Sequence, residues 1–250
     1  MTNALPQRPL APLHRVLVII PTYNESDGIL SLIAEILPLD ARLEILVVDD
    51  NSPDGTADLI EQTANSRVHL RRRQGKLGYA SASLEGFRWA VQNDYDAALE
   101  MDADRSHDPH DIPLLLQALE QGAHVAIGSR YLNGVRVLNW PLPRLLLSAG
   151  GGFYVRFLTG LPLTDPTSGF KALRSEVIRL LKWTKFTSEG YSFNIETYYF
   201  AWKQRFKLVE IPIIFTERRQ GASKMTPQIA IEAALRVIKL ALRRLIPAPF

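Results

Sequence analysis

The stretch LEMDADRSHDP, Leu99 to Pro109, sets Asp102, Asp104 and Asp108 close together directly behind an apolar run. Carboxylates at this spacing repel one another unless water, hydrogen bonds or a cation relieves them, so a divalent metal is the first chemistry to consider. Asp102 and Asp104, one residue apart, point to opposite faces of a regular strand. Where a strand ends and the chain turns, both can approach one ion, directly or through water. His107 and His110 lack a third partner at zinc-site spacing, and the chain has no cysteine, which favours oxygen ligands. Magnesium or manganese takes one or two carboxylates and completes its shell with water and substrate phosphates, so the pair points to a diphosphate ligand. Arg130, Arg144, Arg218 and Lys224 fit the same picture as donors of charge-assisted hydrogen bonds to phosphate oxygens.

Such residues need a frame. Short apolar runs, VLVII (Val16 to Ile20), LEILVV (Leu43 to Val48), RVHL (Arg67 to Leu70), AALEM (Ala97 to Met101) and HVAIG (His124 to Gly128), alternate with amphipathic stretches. Helices are expected near Glu25 to Leu37, Thr56 to Asn65, Ser81 to Gln92 and Asp111 to Gln121. This rhythm predicts an α/β fold: a doubly wound, mostly parallel sheet with helices on both faces. Ligands of such sheets bind beyond the carboxyl ends of the strands. Those ends carry PTYNE (Pro21 to Glu25), DDNSPDG (Asp49 to Gly55), RRRQGK (Arg71 to Lys76), DADRSHD (Asp102 to Asp108) and SRY (Ser129 to Tyr131). Taken singly, Asp49 or Asp50 reads equally as a turn cap, and Asp108 before Pro109 as a helix start. At one edge together they read as a site.

The second half predicts a helix over Pro141 to Leu158 with the unfavourable run Gly150 to Gly152 in its middle, a loop containing DPTSGFKALR (Asp165 to Arg174), helices near Glu176 to Trp183 and Phe193 to Lys203, and a strand KLVEIPIIF (Lys207 to Phe215). Pro212 places that strand at an edge or a bulge. From Thr226 the chain reads as one helix until Pro247. At about 100° per residue, Ile231, Leu235, Ile238, Leu242 and Leu245 share one face, while Arg236, Lys239, Arg243 and Arg244 share the opposite one. A basic amphipathic helix serves as a solvated surface helix or as an interfacial helix on an anionic membrane. The organisation expected is therefore a proline-rich tail over residues 1–14, one catalytic domain over 15–225, and the basic helix over 226–250.

Other classes are excluded by what is missing. No GxxxxGK[ST] phosphate loop, no GxGxxG after the first strand and no GxSxG elbow occurs. No segment reaches the roughly 18 apolar residues of a membrane span, because Arg144 and Arg156 interrupt the stretch from Leu142 to Leu163. The opening residues lack the apolar core of a signal peptide, so no export is expected. A net charge of +3, without interleaved aromatics among the basic residues, argues against nucleic acid as a partner.

IPTYNE, VVDDNSPDG, MDADRSHDP, GSRYLNG followed by NWP, DPTSGFKALR, EGYSFNIE and FTERRQGASKM occur in order from about Val16 to Met225. Together they resemble a family 2 glycosyltransferase, and most of all the polyprenol (dolichyl) phosphate mannose synthases. PTYNE, VVDD and DAD are shared by many family 2 enzymes and indicate a sugar nucleotide; the elements from GSRY with NWP to RxxGxSK are narrower and indicate a polyprenyl-phosphate acceptor. The resemblance implies a GT-A-type, Rossmann-like fold. It implies that Pro21, Tyr23, Glu25, Ala103 and one or both of Asp49 and Asp50 hold the nucleoside. Asp102 and Asp104 would hold Mg2+ or Mn2+ on the donor diphosphate, and Arg130, Arg144, Ser148, Arg218 and Lys224 would hold the sugar-phosphate and the acceptor phosphate. Ser106 stands where some relatives carry a glutamine as an extra metal ligand, so a hydroxyl or water takes that place here.

The reaction implied is inverting transfer of mannose from GDP-mannose to a polyprenyl monophosphate. UDP-glucose is the nearest alternative donor, and a silent sugar-nucleotide-binding scaffold the alternative of another class. A phosphate monoester, with its second pKa near ~6, is largely dianionic at neutral pH and needs no carboxylate base. Asp165 is accordingly read as shaping its loop. A lipid acceptor also requires a membrane surface, which the basic helix and the Leu142 to Leu163 region would meet from the cytoplasmic face, with or without a membrane partner protein.

Overall fold

The computed structural model describes residues 10–181, 191–217 and 227–244. Seven strands form the main sheet: β1 (Val16–Thr22), β2 (Leu43–Asp49), β3 (Val68–Arg72), β4 (Ala97–Glu100), β5 (Val125–Ser129), β7 (Lys171–Arg174) and β8 (Leu208–Pro212), in the order β3-β2-β1-β4-β7-β5-β8. A small parallel pair, β6 (Val137–Leu138) and β9 (Phe215–Thr216), stands apart from it. The helices are α1 (Ile29–Ile36), α2 (Thr56–Glu61), α3 (Tyr79–Gln92), α4 (Ile112–Glu120), α5 (Leu142–Thr159), α6 (Ser175–Leu180), α7 (Tyr191–Lys203) and α8 (Pro227–Arg244).

The apolar runs become strands because every second side chain has a core to enter on each face. Val16, Val18 and Ile20 pack with α1 and α4, while Leu17 and Ile19 pack with α3, and all are fully buried. Two cores thus sandwich the sheet. The approach of α3 to β1 depends on Gly86, since a Cβ there would lie 2.4 Å from the Ile19 side chain. The chain runs outward from β1 through β2 to β3 and then returns to β4 on the other side of β1. That reversal opens a crevice at the carboxyl ends of β1 and β4, where such sheets bind ligands.

Four expectations are corrected. The first helix starts at Ile29, because Glu25 to Gly28 form a turn in which the Glu25 carbonyl accepts from Gly28 and Ile29. The second ends at Glu61 rather than Asn65, closed by turns through Thr63 and Asn65. The run Lys207 to Phe215 is two short strands on different sheets, divided after Pro212, which lies on the edge strand β8. The end of DPTSGFKALR is no loop: β7 is a fully buried strand, antiparallel to both β4 and β5.

The glycines 150–152 do not break α5, which runs to a left-handed Gly160. No described helix is long and apolar enough to cross a membrane. On α8 the buried side chains are Val237 and Leu240, whereas Leu235, Ile238 and Leu242 from the expected apolar face are exposed. Among its described side chains, Val237 and Leu240 face the domain. Leu245 and the side chains of Ile231, Arg243 and Arg244 lie outside the described residues.

Candidate active site

Past β4 the backbone keeps pairing with β1 through Met101 N–H to the Ile19 carbonyl, 3.1 Å, and then turns. The turn is made by Arg105 at φ 59°, whose side chain reaches out to Glu35 and Ser31 of α1. The Asp104 carboxylate accepts from Ser106 N–H at 3.1 Å, and the Asp102 N–H donates to His107 Nδ1 at 3.3 Å. His107 is buried, stacked on Phe170 with ring centres 4.9 Å apart. Burial, ahead of the opposing pull of Asp104, pushes its pKa down to about 4, so the ring is neutral and can accept. The Asp102 side chain keeps 38% of its exposure.

Asp102 and Asp104 are brought to one turn at the mouth of the crevice, with Ala103 buried between them. Ser106 is buried and its hydroxyl has no hydrogen-bond partner. Two carboxylates and an unclaimed hydroxyl form an all-oxygen donor set, which fits a hard divalent cation. Among the described residues no group of three or more His, Cys, Asp or Glu side chains forms an ion cage. The remaining ligands would therefore come from substrate phosphates or water. Below this turn Glu100 is fully buried, held by Lys171 Nζ at 2.6 Å and the Ser83 hydroxyl at 2.6 Å, with Asn194 Oδ1 taking a second Lys171 bond at 2.8 Å. Gly169 closes the floor, since a Cβ there would lie 2.9 Å from the Tyr79 hydroxyl.

At the ends of β1 and β2, the two predicted aspartates differ in surroundings. Asp49 has no exposed surface; its carboxylate takes the Thr22 hydroxyl at 2.9 Å and the Ser52 N–H and hydroxyl at 2.8 and 2.5 Å. In this arrangement it ties two loops together. Asp50 holds Arg73 Nη1 at 2.6 Å and the N–H groups of Leu77 and Gly78 at 3.0 and 2.9 Å. Pro21, Tyr23 and Glu25 line the same rim, partly exposed, and the Lys76 ammonium lies 4.0 Å from the centre of the Tyr23 ring.

Beyond β5 the Arg130 guanidinium is buried and grips Asp165 with two bonds of 2.7 Å, adding Thr167 at 2.8 Å. Burial alone would raise the Asp165 pKa; the adjoining Arg130 prevails and holds it below the usual carboxylate range. Glu210 of β8 anchors the same loop by accepting from the N–H groups of Thr164 and Asp165. Arg144, near the start of α5, is ion-paired with Glu217 and lies 4.2 Å from the Trp140 ring centre. Ser148, one helical turn on, is half-buried near the Tyr131 hydroxyl. Arg218 and Lys224 lie outside the described residues.

Phe215 joins the two halves. Its ring meets His107 edge-on at 5.4 Å and Trp140 at 5.5 Å, with Arg130 Cζ 5.5 Å away, and the next N–H, of Thr216, donates to the Ser106 carbonyl at 3.1 Å. Glu217, Glu210, Trp140 and the Lys171–Glu100 pair were not among the predicted site residues. NWP and KALR are visible in the sequence, but their partners are remote in it.

The sequence matches Glycosyl transferase family 2 over residues 17–181. It is 42% identical over 235 residues to the polyprenol monophosphomannose synthase of Mycolicibacterium smegmatis, covering 93% of this chain and 89% of that protein. It is 39% identical over 227 residues to the undecaprenyl-phosphate mannosyltransferase of Micrococcus luteus, covering 90% and 93%. Against the dolichol-phosphate mannosyltransferase of Pyrococcus furiosus it is 36% identical over 234 residues, 90% of this chain and 63% of that one. Among solved structures, glucosyl-3-phosphoglycerate synthase from Mycobacterium tuberculosis in complex with Mn2+, uridine-diphosphate and glucosyl-3-phosphoglycerate shares the fold, with a TM-score of 0.64 at 21% identity over 94% of this chain and 81% of that one. By the extent of these matches, and with the sheet reversal and acidic turn described above, the chain belongs to glycosyltransferase family 2.

Proposed function

We propose that this glycosyltransferase moves mannose from GDP-mannose to the phosphate of a polyprenyl monophosphate, with inversion at the anomeric carbon. The observation that most supports the reading is the Phe215 bridge, whose ring contacts both His107 of the acidic turn and Trp140 and Arg130 of the arginine cluster. One side is suited to a metal-bound donor diphosphate and the other to a second phosphate. The names of the relatives supply the sugar and the lipid.

Asp102 and Asp104 would hold the cation, with the Ser106 hydroxyl or a water beside them. A bound Mg2+ or Mn2+ supplies charge neutralisation on the diphosphate leaving group. Pro21, Tyr23, Glu25, Ala103 and Asp50 frame the nucleoside side, while Arg144 and Ser148, with Arg218 and Lys224, orient the acceptor. Arg130 acts from behind, since its fork is committed to Asp165. The acceptor is already dianionic, so attack at the anomeric carbon needs alignment and charge neutralisation more than a base. Asp165, ionised and enclosed, is an anchor.

The lipid end of the acceptor implies a membrane surface. Leu142, Leu146, Leu147, Phe153 and Phe157 of α5 are exposed, as are Leu235, Ile238 and Leu242 of α8. The two helices are joined by the Tyr154 hydroxyl donating to the Ala234 carbonyl at 3.2 Å. Apolar side chains with Arg156 and Lys239 among them suit peripheral attachment to an anionic leaflet, on the cytoplasmic face.

The test is a donor screen: purified chain, polyprenyl phosphate, divalent metal, and radiolabelled GDP-mannose or UDP-glucose, followed by extraction of labelled lipid. Label from GDP-mannose supports the reading. Label from UDP-glucose alone replaces the donor, and no label from either, with nucleotide binding intact, favours another acceptor or a non-catalytic scaffold.

A further inference from the structure

We propose that Trp140 is a positioning residue for the acceptor phosphate, holding Arg144 beside the anchored Arg130 and offering its indole N–H to a phosphate oxygen. The inference rests on the reading of the arginine cluster as the acceptor-phosphate side of the site.

Two guanidiniums near one another repel, and something must keep them together before a phosphate arrives. Each has a carboxylate, Asp165 for Arg130 and Glu217 for Arg144, but the two pairs differ. Asp165 is sealed in, whereas the Glu217 side chain retains 30% of its exposure and Arg144 32%. Trp140 is the element common to both cations, with Arg144 Cζ at 4.2 Å and Arg130 Cζ at 5.5 Å from its ring centre. Both distances fall within the range, about 6 Å, in which the face of an indole attracts a cation, and Trp is the strongest of the aromatic partners.

The partly buried ring is oriented by its neighbours in space and in the chain. Phe215 meets it at 72°, Asn139 before it takes a left-handed turn at φ 65°, and Pro141 after it precedes α5, which carries Arg144 and Ser148. The Trp140 Nε1–H is buried and makes no hydrogen bond. Buried donors left unpaired are rare and call for an explanation. A neutral donor beside Arg144 matches a phosphate, whose oxygens accept more hydrogen bonds than that one guanidinium fork supplies.

Steady-state kinetics on the full chain test this with Trp140→Phe, which keeps a smaller ring and loses the N–H, and Trp140→Leu, which loses both. The expected result is an acceptor KM raised about tenfold by Trp140→Phe and further by Trp140→Leu, with the KM for GDP-mannose within about twofold of wild type. Equal increases in both KM values, or none, would overturn the proposal. Titration with a short water-soluble prenyl phosphate gives a second readout that does not need turnover: weaker binding to Trp140→Phe supports the role, and unchanged binding refutes it. A wild-type chain that transfers no mannose would sink the functional reading while leaving this titration decisive for Trp140. If Trp140→Leu does not fold, Trp140→Phe alone decides.

Discussion

Asp165 and Arg130 meet in a two-pronged ion pair closed off from water, each oxygen 2.7 Å from its guanidinium nitrogen. A third contact, from the Arg130 N–H to Asp165 Oδ2 at 3.0 Å, fixes the backbone after β5 to the loop before β7. Removing the charge on one side strands the other in an interior that cannot solvate it. Asp165→Asn is therefore expected to cost roughly 3 kcal/mol of stability, read by denaturant unfolding, and to lower transfer activity by displacing the arginine cluster. The pair also sets a pH dependence. The folded pKa of Asp165 lies below its unfolded value near ~3.9, so its stabilisation is complete above that value and fades as pH falls through the folded pKa. Melting temperatures measured below about pH 4 should fall more steeply for wild type than for Asp165→Asn.

Lys171 and Glu100 are both without exposed surface, on neighbouring strands directly under the acidic turn. Lys171→Met leaves the Glu100 carboxylate buried without a cation, with an expected loss of about 3–5 kcal/mol. Changing Glu100 to Gln in the same chain removes the stranded charge, and the double variant should regain much of the loss. Urea unfolding of the two single variants and the double one measures the coupling, and strict additivity would contradict it.

Phe153 and Phe157 lie one turn apart on the outer face of α5, 67% and 74% exposed, with ring centres 6.2 Å apart. Their replacement by Glu buries nothing and breaks no contact with the core, so stability should change by less than about 0.5 kcal/mol. On a membrane-facing surface the same change places carboxylates in an apolar, anionic boundary. Wild type is expected to co-sediment with anionic vesicles at low salt and the double Glu variant to remain in the supernatant. Equal sedimentation would remove α5 from the docking face.

What the sequence made legible follows a physical division. VLVII, and LEILVV apart from the partly exposed Glu44, are apolar because strands buried on both faces have little polar side to show, and their expected bounds agree with β1 and β2 within a residue or two. KALR was missed because Lys171 and Arg174, at its two ends, are buried only by virtue of remote partners: Glu100 for one, the carbonyls of Ala11 and Leu119 for the other. Asp102 and Asp104 could be read as a unit because they are neighbours in the chain. Asp49 is legible at its strand end for the same local reason, and the fold adds its bonds to Thr22 and Ser52. Periodicity likewise found the apolar stripe of α8 without revealing that Val237 and Leu240, not Leu235 and Ile238, face the domain.

We propose that the turn after β4 supports mannose transfer through a cation held by Asp102 and Asp104. The measurement that meets it most directly is transfer of radiolabelled mannose from GDP-mannose into polyprenyl phosphate by wild type and Asp104→Ala, each titrated with Mg2+ and with Mn2+. Labelled lipid is expected from wild type only when metal is present, with a loss of at least about a hundredfold in Asp104→Ala that added metal does not restore. Labelling that persists in chelator, or in Asp104→Ala at the wild-type rate, would contradict it.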